Sequence, residues 1–181
     1  MSVNSPLDSP ADVRSTLPTQ ILIALAGLLL VFLEGSLATW SIFYASVPLP
    51  TIAFIYYMRV NYPHLLSLPV ILLMGLFGEM MFFDMLGSRA TGLMIVALLS
   101  QLNMASQQHV EFTELWANFC LIVLVYIIFR LAVFFVFYFT FPDWRAVFFQ
   151  AGITMFLFPF FFVVMSSISA SLSQLFGSNS R

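Results

Sequence analysis

The sequence has no lysine and only six arginines, set against eight acidic residues. Charged residues make up 8% of the 181 positions, where soluble domains carry about a quarter. So few charges cannot cover the surface of a water-soluble globule of this size. A formal net charge of −2 leaves no basic patch to neutralise phosphates, which argues against nucleic acid as a partner. Histidine is scarce too: His64 and His109 lie far apart, without the CxxC or HExxH company that a metal site needs. Cys120, the single cysteine, stands inside an apolar run; it can form no internal disulfide and reads as a small buried hydrophobe. No metal and no cofactor is expected.

What fills the chain is hydrocarbon. Hydrophobic residues reach 61%, 22 of the residues are phenylalanine, and the mean hydropathy is +1.01. This is the composition of an integral membrane protein. In lipid every backbone polar group must be satisfied within its own element, which leaves helices or closed barrels. A barrel needs alternating apolar and polar residues over about ten-residue strands, and these runs are continuously apolar. The expected fold is therefore an all-α integral membrane protein, a compact bundle of six transmembrane helices, or five if one short run does not cross.

The runs are punctuated by breakers. "MSVNSPLDSPADVRST" (1–16) is polar and proline-dotted and reads as a disordered cytoplasmic tail. The first span is expected from about Pro18 to Tyr44, too long for a signal peptide, with Trp40 and Tyr44 at an interface. "VPLP" ends it, and "TIAFIYYMRVNYP" follows as a span well under the roughly 20 residues a crossing prefers. Further runs are expected at about His64–Leu86, Ala90–Ala105, Leu115–Phe141 and Ala146–Leu172, separated by "GSRATG", "SQQHVEFTE" and "PDW". The polytopic domain covers 17–173, and 174–181 is a short polar tail. With six spans, Arg14, Arg59 and Arg181 fall on one side and Arg89 and Arg145 on the other, a faint bias towards both ends in the cytoplasm.

Four charges lie in or against the apolar runs: Glu34, Glu79, Asp84 and Arg130. A charge at the bilayer centre costs at least about 2.5–3.5 kcal/mol on insertion scales, so each needs a partner, a proton or an aqueous pocket. They read as interhelical ties, with Arg130 paired to Glu79 or Glu34; an ion path or ligand site is the competing reading. Gly75 and Gly78 fall on nearby faces of the third run, where small residues let membrane helices approach closely. Gly87 suits a helix end in the left-handed conformation, and Gly92 a close backbone contact early in the fourth run. Asp84 is then expected to accept the open N–H groups around Ser88 to Thr91, as the clasp of a helix–turn–helix hinge. Serines without a positioned histidine, and two acids five apart on one helix, give no catalytic constellation.

The stretch "PLPTIAFIYYMRVNYPHLLSLPVILLMGLFGEMMFFDMLGSRATG" resembles the core of the bacterial rod-shape-determining protein MreD family. The shared features are a proline opening a short second span and a turn at Pro63-His64. A glycine-bearing third span follows, then the turn marked by Asp84, Gly87, Ser88 and Gly92. Pro159, after an aromatic residue in the last span, fits the same pattern; the likeness covers about residues 18–170. Glu79 is additional, and the family's basic tail is reduced to Arg181. The resemblance implies a fold like the substrate-binding S components of energy-coupling-factor transporters. It implies a non-enzymatic role in the inner membrane of rod-shaped bacteria, within the elongation complex. The implied partners are MreC and, through it, MreB, RodA and a class B penicillin-binding transpeptidase. The alternative is a vitamin-type substrate-binding subunit of an energy-coupling-factor transporter, using Glu34, Glu79 or Arg130 as ligand contacts.

Overall fold

Helices and breakers alternate along the chain. A computed structural model describes residues 10–40, 46–63, 65–82, 85–104, 111–140 and 143–177, with side chains from 20 to 102 and from 111 to 168 within those ranges. Six α-helices and no strand occur among the described residues: α1 (Pro10–Ala38), α2 (Pro50–Asn61), α3 (Leu68–Phe82), α4 (Ser88–Met104), α5 (Phe112–Tyr138) and α6 (Trp144–Gly177). α1 begins within the segment expected to be a disordered tail. Pro50 and Pro69 each lie in the first turn of a helix, where a missing N–H costs nothing.

Three helices carry segments long and apolar enough to cross a membrane: Gln20–Ala38, Phe112–Tyr138 and Trp144–Ile168. Leu68–Phe82 and Ser88–Leu102 are apolar but shorter. α2, of 12 residues, would reach only about 18 Å at 1.5 Å per residue. Its brevity is accommodated because it lies inside the protein, packed on α1, α4, α5 and α6. Every residue from Pro50 to Tyr57 is buried. The outer helices follow one another around it, α1 on α3, α3 on α4, α4 on α5 and α5 on α6.

The non-helical segment before α2 is buried as well, so its backbone groups need partners away from water. α6 supplies them. Thr154 Oγ1 accepts the Leu49 N–H at 3.1 Å, and Gln150 Nε2 donates to the Val47 carbonyl at 2.7 Å. Around α2, Tyr56, Phe119 and Phe158 form an aromatic core, the last two stacked at 4.0 Å between centroids. The Tyr56 hydroxyl donates to the Leu115 carbonyl at 3.0 Å.

Pro159 lies inside α6 and has no N–H for the carbonyl four residues earlier, that of Met155. The Trp116 indole Nε1 donates to that oxygen at 3.1 Å. The outward faces are apolar: Leu29, Phe32, Ile128, Phe148, Phe156 and Phe160 are all largely exposed. Trp40, Tyr138 and Trp144 are exposed at one end of the bundle, Tyr62 and Trp116 towards the other. Aromatic belts of this kind mark membrane–water boundaries.

Candidate functional site

Glu34, Glu79, Arg89 and Arg130 gather towards the end of the bundle marked by Trp40 and Trp144. Glu34 sits one turn before the end of α1, and Arg89 is the second residue of α4. Arg89 Nη2 meets Glu34 Oε2 at 2.5 Å, and both side chains are sealed in, Glu34 fully and Arg89 at 3% exposure. Thr51, in the first turn of α2, donates its hydroxyl to the same oxygen at 2.6 Å. One carboxylate oxygen therefore ties together α1, α2 and α4. The guanidinium also lies over the Phe82 ring, 4.7 Å from its centroid.

Gly78 makes room for that arrangement. A Cβ there would come within 2.7 Å of Arg89 Nε. Gly75, one turn earlier, faces backbone: its Cβ would lie 2.3 Å from Ala90 Cα, so α3 and α4 touch main chain to main chain. Gly92 performs the same service against the Tyr126 ring, at 2.7 Å. Gly87 has φ +90°, the left-handed region that favours glycine, and turns the chain from α3 into α4.

At that turn Glu79 accepts the Gly87 N–H at 2.7 Å through Oε2 and the Ala90 N–H at 2.8 Å through Oε1. A helix start leaves such N–H groups without internal partners, and a carboxylate there also meets the positive end of the helix dipole. The expectation gave this task to Asp84, which lies outside the described residues. Glu79 performs it from within α3. Arg130, expected to pair with Glu79 or Glu34, lies close enough to contribute to the field at Glu34, whose ion pair is with Arg89. The sequence puts Arg89 in the expected turn "GSRATG" and does not single out Thr51, Gln150 or Thr154. Nothing in local spacing marks them, because each acts across a helix–helix contact.

Beside the pair is a cavity of about 320 Å³ lined by Glu34, Phe82, Arg89, Arg130 and Gln150, among others. Arg130 and Gln150 also border a second cavity of about 200 Å³, walled mainly by apolar side chains of α5 and α6. No group of three or more metal-ligating side chains occurs among the described residues. Comparison with family models, curated proteins and solved structures finds no match to the chain.

Proposed function

We propose that this protein is a non-enzymatic, multi-pass scaffold of the bacterial cytoplasmic membrane, similar to MreD, that binds MreC. Through MreC it would couple the MreB cytoskeleton to RodA, a class B transpeptidase and peptidoglycan synthesis. All six helices enter the bundle in alternating directions, on the plan of an energy-coupling-factor S component, with both ends in the cytoplasm. The observation that best supports a structural role is where the buried charges go. Glu34 holds both Arg89 and Thr51, and Glu79 holds the start of α4, so these groups are engaged in joining helices. A partner helix would meet the apolar outer faces.

A transporter subunit has one observation in its favour, the cavity beside Glu34 and Arg130. Affinity purification of the tagged protein from native membranes in mild detergent, with mass spectrometry, separates the two. Recovery of MreC with RodA or the transpeptidase supports the scaffold. Recovery of paired ATPases with a coupling subunit overturns it in favour of the transporter.

A further inference from the structure

Phe139 closes α5 in the left-handed conformation, at φ +52°, and is 81% exposed. Bulky side chains rarely adopt that backbone, which glycine and asparagine take more readily. The closing hydrogen bond, from Phe139 N–H to the Phe135 carbonyl at 2.9 Å, uses main chain alone and asks nothing of the ring. A ring so exposed packs on little of the protein, so the contact that offsets the strain lies outside the chain.

That contact surrounds the helix. Val136, Phe137, Tyr138 and Phe139 are consecutive, and each is more than half exposed. At about 3.6 residues per turn, four positions go right round an α-helix, so the end of α5 is open on every side. A partner protein covers one face of a helix, whereas a bilayer encloses it. Trp144, Phe148 and Phe149, at the start of α6, are open to the same degree.

Depth fits the same medium. Glu34, Arg89 and Arg130 line one chamber and so share a level. Outward from there α4 begins one residue away, at Ser88, while α5 continues for nine residues to Phe139, about 13 Å. The 27 residues of α5 make about 40 Å, roughly 10 Å more than the hydrocarbon core of a bilayer and close to the core with its interfacial layers. The chemistry of the tip suits such a layer. The Arg145 guanidinium lies 5.5 Å from the Trp144 ring centroid, and Asp143 Oδ1 accepts the Arg145 N–H at 3.1 Å, so an aromatic body ends in polar atoms.

We propose that the end of α5 and the start of α6 form an interfacial anchor, seated among the lipid head groups of the leaflet on the Trp40 side, with Phe139 and Trp144 as its inserted rings. The occupant of this surface is the bilayer and not a protein. The anchor rests on α5 and α6 crossing a membrane, and on none of the bundle's partners.

The test uses the full chain reconstituted in phosphatidylcholine vesicles and washed at high pH. Protein lost in the wash would overturn the crossing itself, and the anchor with it. In the Trp40→Phe/Trp116→Phe variant, Trp144 is the one indole left of three. Its fluorescence is read against phosphatidylcholine brominated high or low on the acyl chains, and against aqueous acrylamide. The difference between wild type and Trp144→Phe gives the same reading if the double variant does not fold. Upper-chain bromine is expected to quench about twice as strongly as lower-chain bromine, with acrylamide quenching at most about half that of free tryptophan. Phe139→Asn suits the left-handed backbone but removes the ring, and should cut the upper-chain quenching at least twofold. Stronger quenching by lower-chain bromine would place the tip inside the hydrocarbon and overturn the anchor. Full acrylamide quenching without bromine quenching would place it in water, and shielding from both would put a second copy of the chain on it; either overturns the bilayer as occupant. An unchanged response in a folded Phe139→Asn protein would overturn Phe139 as an inserted ring.

Discussion

Glu79 and Ala90 are eleven residues apart, and the carboxylate of one accepts the backbone N–H of the other at 2.8 Å. The second carboxylate oxygen takes Gly87 N–H, so a single side chain closes the turn between α3 and α4. Hydrogen bonds to a charged group contribute about 1.5–3 kcal/mol each. Glu79→Leu is therefore expected to destabilise the protein by about 3–5 kcal/mol in detergent unfolding, allowing for partial compensation. Glu79→Gln keeps one acceptor and should lose roughly half as much. Equal stability of Glu79→Leu and the wild type would show that the turn closes without it.

Trp116 supplies what Pro159 removes. In Trp116→Phe the Met155 carbonyl loses its donor, at an expected cost of about 1–2 kcal/mol, since the site is partly exposed. Pro159→Ala restores an N–H four residues after Met155. In that background Trp116→Phe should cost only the lost packing, and a double-mutant cycle in the same unfolding assay reads the difference. A loss of the same size in both backgrounds would separate the indole from the proline.

Gly75 sets the distance between α3 and α4. Gly75→Ala places a methyl group against Ala90 Cα and should cost about 1–3 kcal/mol by overpacking. Gly152→Ala is the control, because a Cβ there meets nothing within 4 Å. It should be neutral or stabilising by up to about 1 kcal/mol through helix propensity. Equal losses at both positions would rule out close packing as the cause.

These residues show what sequence alone carries. The apolar runs and their breakers are local signals, because proline and glycine act on their own backbone: Val47–Leu49 and Gly87 lie outside the helices, while Pro50, Trp144 and, against the expected turn, Ser88–Gly92 open α2, α6 and α4. Pairing is not local. Arg89 reads as a turn residue, yet its partner Glu34 is 55 positions away and becomes its neighbour only when α1 and α4 converge on α2. Asp84 and Glu79 are both near the turn in sequence. Glu79 reaches the start of α4 because Gly75 lets that helix lie directly alongside α3. The vacant Met155 carbonyl follows from Pro159 by counting back four residues, whereas the identity of its donor depends on α5 packing against α6.

The measurement that most directly tests whether the intramembrane charges serve as structural ties is a double-mutant cycle on Glu34 and Arg89, read as unfolding free energy in detergent. Breaking a buried pair from one side typically costs about 3–5 kcal/mol, because the remaining charge is left uncompensated. Arg89→Met is expected to lose that much, and Glu34→Gln, which keeps an acceptor for Thr51, somewhat less. The Glu34→Gln/Arg89→Met double variant should be more stable than Arg89→Met alone, with a coupling of at least about 1 kcal/mol. Simple addition of the two single losses would contradict the pair as the tie between α1 and α4.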